Sequence, residues 1–114
     1  MERGDVVRVD LPPPKGPTGR EQIGPRPAIV LQVEEATNLE TIIVVPCTGQ
    51  LHNIRHYGAV RISASDSNGL DVDSVALVHQ LRTIDRRRIM RTLGRLSNDD
   101  LKQVEAGVRA ILGF

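Results

Sequence analysis

The sequence predicts a mainly β fold, a small and strongly bent antiparallel barrel with a single helix packed against it. Three observations carry that expectation. Short β-branched apolar runs recur from the first residues to residue 78, each bounded by turn-forming residues. The one sustained helical periodicity lies at the end, over residues 97–114. The chain has 114 residues, the size of one domain, and residues 1–114 are read as such. A chain of that length buries roughly two-thirds of its unfolded surface, enough for a small core.

The elements follow in order. In "VVRVDL" the alternation puts Val7, Val9 and Leu11 on one face and Arg8 and Asp10 on the other, a half-exposed strand. "AIVL" (28–31), "IIVV" (42–45) and "VALV" (75–78) are continuous apolar runs and predict strands buried on both faces. "AVRISA" (59–64) alternates again, with Val60 and Ile62 inward, and Asn68-Gly69 marks a turn. A short helical turn is expected from Asp85. In the last segment Ser97 and Asp100 form a capping pair. Leu101, Val104, Val108, Ile111 and Leu112 fall on one face at helical spacing, so that face should pack on the sheet, with Gly107 a weak point in it.

Composition narrows the function. One cysteine, Cys47, allows no internal disulfide and suggests a reducing, cytoplasmic compartment. The start "MERGDVVRV" is charged and lacks a long apolar run, which argues against a signal peptide or a membrane span. Thirteen of the fifteen basic residues are arginine, and residues 82–95 hold six of them against one aspartate. The arginine fork suits phosphate oxygens, so the tract is a candidate nucleic-acid contact; a solvated basic face is the competing reading. With only Tyr57 and Phe114 as aromatics, a base-stacking aromatic platform is disfavoured. His52, His56 and His79 have no cysteine partners, and no metal cluster is expected.

If the strands simply meander, three polar groups meet at one mouth of the barrel: Arg26 entering its strand, Thr48 leaving the next, and His79-Gln80 leaving a third. Prolines at 25 and 27 restrict the backbone on both sides of Arg26. A cation and a hydroxyl near a basic surface suit attack by an RNA 2′-hydroxyl on the adjacent phosphate, because a fixed cation stabilises the charge that develops there. A plain turn into an edge strand, with a solvated arginine, explains the same four residues, and both readings stay open on physical grounds.

The motifs "RGDVVRVDLPP", "REQIGPRPAIVLQ", "VVPCTGQ", "LVHQLRTIDRRR" and "LGRLSNDDLKQV" resemble, in order and over nearly the whole chain, those of the MazF/PemK (Kid) toxin family. The resemblance implies an SH3-like barrel of the MazF/CcdB type with a C-terminal helix. It also implies a homodimer and a metal-independent, cofactor-free endoribonuclease that cuts single-stranded RNA at short sequences and is silenced by a MazE-like antitoxin. By the same resemblance Arg26 is the phosphate-stabilising cation and Thr48 the hydroxyl partner at the scissile phosphate. Glu21 and Gln22 fall in the loop that lines the RNA groove, Gln50 belongs to the T-x-Q step, and Gln80 and Arg82 fall on substrate-binding positions.

Four departures accompany it. Arg8 stands where many members carry tryptophan, the loop "PPPKGPTG" is about three residues longer, Arg20 precedes the E-Q pair, and His79 replaces a carboxylate before Gln80. A histidine there can serve as general base or acid near neutral pH. Retained activity with altered cleavage preference is expected. A CcdB-like gyrase inhibitor and a barrel that binds RNA without cutting it are the competing functions.

Overall fold

The computed structural model describes residues 1–12, 22–36 and 38–114. Seven strands and one helix form: β1 (Asp5–Leu11), β2 (Gly24–Val30), β3 (Thr41–Thr48), β4 (Val60–Ile62), β5 (Ser74–Ala76), β6 (Arg82–Asp85), β7 (Ile89–Arg95) and α1 (Asn98–Leu112). All pairings are antiparallel, in the order β4-β5-β3-β2-β1-β7, with β6 also on β3. The expected β class with a terminal helix is therefore observed.

The simple meander is not. It holds for β1, β2 and β3, but β4 pairs with β5 rather than β3, and β7 returns to β1. Strand β3 is the hub. One edge takes β2 over Val44–Pro46, and the other takes β6 over Thr41–Val44 and then β5 over Cys47 and Thr48. Strands β5 and β6 are thus two halves of one run along β3, interrupted by a 3-10 turn at Val78–Gln80. That interruption lifts His79 and Gln80 out of the ladder. The short helical turn expected from Asp85 is a 3-10 turn at Arg86–Arg88, with Asp85 capping it through Arg87 N–H, and the rest of the arginine tract is β6 and β7.

Burial on both sheet faces yields two apolar groups. Val7, Val9, Leu11, Ala28, Val30, Ile42, Val44 and Ile84 form one. Val6, Ile29, Val45, Cys47, Ile62, Ala76, Val78 and Val104 are central to the other, beneath the helix. Arg3 ties the helix to the sheet, donating to the Leu31 carbonyl and pairing with Glu105 at 2.8 Å. Ser97 Oγ accepts from Asp100 N–H at 3.1 Å, the expected cap. The helix face differs at its end: Leu101, Val104 and Val108 pack on the core, whereas Ile111 and Leu112 are exposed, because the sheet ends beneath the third turn.

Gly107 is a contact and not a weak point. A Cβ there would lie 2.4 Å from the Gly58 carbonyl oxygen, so glycine is what lets helix and loop touch. Gly94 of β7 is similarly crowded, 2.3 Å from the Ser67 carbonyl oxygen for a built Cβ, where the 65–70 loop meets β7.

Candidate active site

Strand β2 answers why two prolines flank Arg26. Residues 24–27 pair with β1 alone, Arg26 opposite Val9, and β3 joins β2 only from Ala28 onward. A stretch with one partner strand tolerates residues that cannot donate to a second ladder. The prolines hold the backbone extended while the arginine projects toward the end of β3. The strand continues through Gly24–Pro27, so the segment is strand rather than turn, with one edge open until Ala28.

The Arg26 guanidinium donates to the Gln22 side-chain carbonyl, to the Ile23 carbonyl at 3.2 Å and to the Cys47 carbonyl at 3.5 Å. Among the described residues it makes no ion pair with a carboxylate. Burial pulls its pKa below the ordinary arginine value, yet an arginine so placed keeps its charge at neutral pH. A half-buried cation held by neutral acceptors is what an incoming phosphate requires.

Gln22 organises the rest. Its backbone N–H donates to the Gln80 side chain at 2.8 Å, and its carbonyl accepts from Arg82 at 3.3 Å. One residue thus links β2, the 78–80 turn and β6. Thr48, buried at the end of β3, accepts the Gln50 backbone N–H at 3.2 Å on its hydroxyl oxygen. The hydroxyl proton is left for another acceptor. Cys47 beside it is fully buried, and desolvation pushes its thiol up to about 12, so it stays protonated.

The convergence expected at one mouth survives the change in strand order, because β5 and β6 still run along β3. Gln22, Arg26, Gln80 and Arg82 form one hydrogen-bonded group, with Thr48 next to the Cys47 carbonyl that Arg26 reaches. His79 is offset. Its ring lies 4.4 Å from that of His56, and among the described residues no hydrogen bond joins it to Arg26 or Thr48. Burial first, and then the neighbouring His56, lowers the His79 pKa from 6.5. Arg20 and Glu21 lie outside the described residues.

The residues missed in the sequence are Asn53 and the histidine pair as a unit. A polar cavity of about 300 Å³ is lined by Gln22, Gln50, Asn53, His56, His79 and Gln80, among others. Asn53 fixes it, its amide donating to the Gln50 carbonyl at 3.0 Å and its oxygen lying 3.0 Å from His56 Nε2. His79 is distant in sequence from Asn53 and His56, so no local spacing signalled the group. Among the described residues no three His, Cys, Asp or Glu side chains gather as a metal site, and none forms a helix long and apolar enough to cross a membrane.

Residues 2–112 match the profile of the PemK-like, MazF-like toxin of type II toxin–antitoxin systems. The chain belongs to the MazF/PemK toxin family. It is 36% identical over 115 residues to an endoribonuclease MazF of Staphylococcus saprophyticus, covering 100% of this chain and 92% of the relative. MazF from Deinococcus radiodurans superposes with a TM-score of 0.80 at 24% identity, covering 100% of this chain and 97% of that one. A mycobacterial endoribonuclease solved with its cognate antitoxin gives 0.75 at 17%, covering 100% and 96%. The chain is thus a homologue of the MazF endoribonuclease with the MazF fold.

Proposed function

We propose that this MazF homologue is a sequence-specific, metal-independent endoribonuclease that cleaves single-stranded RNA by 2′-hydroxyl attack. The observation that carries the reading is the Gln22-centred group, which leaves Arg26 charged, framed and, among the described residues, without a carboxylate partner, its guanidinium reaching the Cys47 carbonyl next to Thr48. The 2′-oxygen bonds to phosphorus as it loses its proton, the phosphorus–5′-oxygen bond breaks with the 5′-oxygen taking a proton from water, and a 2′,3′-cyclic phosphate and a 5′-hydroxyl result. Arg26 exchanges the Gln22 oxygen for a phosphate oxygen and stabilises the extra charge. The Thr48 hydroxyl, its lone pair occupied by Gln50 N–H, donates to another phosphate oxygen.

His79, neutral near pH 7 because its pKa is lowered, takes the 2′-hydroxyl proton once substrate draws the 78–80 turn inward. Gln22, Gln50, Gln80 and Arg82 hold the RNA, as do Arg20 and Glu21 from the preceding loop. The protein works as a homodimer in the cytoplasm, and a MazE-like antitoxin silences it. The Deinococcus radiodurans MazE–MazF complex, which superposes at a TM-score of 0.73 over the full chain, supports that partner class.

The test is incubation with a long unstructured RNA in EDTA, followed by end mapping, with Arg26→Ala as control. Discrete cuts with cyclic phosphate ends that vanish in the variant are expected. Intact RNA at high enzyme concentration would sink the reading and favour a gyrase inhibitor or a non-cutting RNA binder.

A further inference from the structure

From the register of β1 and β7 we infer that Arg8 and Arg91 form a binding site for a backbone phosphate of the RNA, distinct from the phosphate that is cleaved. The inference rests on the ribonuclease reading. Arg8 and Arg91 are direct cross-strand partners in an antiparallel pair, so their side chains leave the same face of the sheet. Like charges placed directly opposite each other destabilise a sheet. Four other arginines are neutralised: Arg3 by Glu105, Arg61 by Asp73, Arg87 by Asp85, and Arg95 by Glu2 and Asp5. Arg8 and Arg91 have no ion pair among the described residues.

The surroundings are those of a site. Both arginines line a cleft of about 180 Å³, with Pro27, Gly49, Asp71 and Ser74 among its other walls. Asp71 forms an ion pair with neither arginine. Register shifts between Val6 and Val7 and between Arg8 and Val9 bracket the pair, and irregularities of this kind redirect side chains. Arg8 pairs with Pro27 whereas Arg26 pairs with Val9, so the cleft lies on the sheet face opposite to Arg26, one residue along the same strand.

An uncompensated pair of planar cations in a concave wall fits tetrahedral oxyanions, which two forks can grip together. A carboxylate on a protein partner carries the same single charge but does not recur at every step of its chain. RNA presents an anion at every step, and its binding releases counterions. The like-charge contact is then a cost to the free protein that a bound phosphate removes.

Two opposed effects follow. Arg8→Gln or Arg91→Gln should raise the melting temperature of the free protein by about 1–5 °C. The double variant should gain no more than either single one, because the first change already removes the repulsion. Each single variant should also bind RNA several-fold more weakly at low salt. Its plot of log affinity against log salt should be shallower by about 0.7 for each phosphate that is no longer neutralised.

The probe is an RNA carrying a 2′-deoxy residue at the mapped cut site, so that it binds without being cleaved. A salt slope unchanged in both variants overturns the inference, as does additive stabilisation in the double. Unchanged RNA binding with weakened binding of a purified MazE-like antitoxin overturns it in favour of a protein partner. These outcomes are distinct from failure of the ribonuclease reading itself, in which the wild-type protein leaves RNA intact in EDTA.

Discussion

Arg26 and the arginines of residues 82–95 carry the same charge in opposite settings. Arg87 is exposed and gripped by Asp85, whose carboxyl it holds down to about 2. Arg95 pairs with Glu2 and Asp5, and Arg86 donates to the Leu39 carbonyl. Arg26 stands alone in sequence, yet it is half-buried, bracketed by prolines and, among the described residues, bound to neutral oxygens. Density of charge marks a solvated surface as readily as a site. A cation that the fold orients and leaves uncompensated marks a place where an anion is expected.

The comparison breaks most directly at its two poles. Arg26→Ala should lower kcat by about 10²–10³, the range seen when one preorganised donor to a developing oxyanion is removed, with no loss of melting temperature. Arg87→Ala, which removes an exposed ion pair, should leave the cleavage rate at its wild-type value. Single-turnover cleavage of one short RNA measures both. Equal losses in the two variants would show that the tract, and not the framed arginine, carries the chemistry.

Thr48→Val tests the other half of the site. The substitution keeps the volume of a buried side chain and removes its hydroxyl. A hydrogen bond to a charged group contributes about 1.5–3 kcal/mol, so cleavage should slow about tenfold to a hundredfold. An unchanged rate would restrict the role of Thr48 to holding Gln50 N–H.

Gly107→Ala sharpens the contrast from the far side of the molecule. At an exposed helix position the change stabilises by about 1 kcal/mol. Here the new Cβ meets the Gly58 carbonyl, and the crowding should cost about 1–3 kcal/mol, read as a lower midpoint in denaturant melts with the cut pattern retained. A more stable protein would mean that the helix moves aside freely.

Much of this was legible in the sequence because local rules agreed with the fold. Alternation in β1, the apolar runs of β2, β3 and β5, and the Ser97 cap each report an environment decided within a few residues. Strand order was not legible. Nothing local tells β5 and β6 to share one edge of β3, or β7 to return to β1; that is settled by which faces must be buried together. Hence the arginine tract, polar and short of apolar periodicity, concealed two strands. Arg26 and Thr48 were legible through their motifs, whereas the contact of His56 with His79 arises only when the 78–80 turn folds against the loop after β3. Gly107 was misread for the same reason, since a helix sequence alone does not reveal what passes beside it.

The smallest expected effect concerns His79, where the comparison becomes one between pH limbs. Its folded pKa lies below the ordinary 6.5, first through burial and then through His56. The neutral ring, needed to accept the 2′-hydroxyl proton, therefore persists below pH 6.5. Cleavage should fall on acidification with an inflection under that value, and His79→Gln should lower the rate and abolish the inflection. Stability has the same sign. Because the unfolded chain binds this proton more readily, the contribution of His79 is complete well above pH 6.5 and is lost as pH drops through the interval down to the folded value. Removal of the neighbouring charge in His56→Ala should move the inflection upward without restoring it fully, since burial remains the larger cause. An acid limb that persists unchanged in His79→Gln would assign the proton transfer to another group and leave the two histidines as wall residues of the cavity beside Gln50 and Gln80.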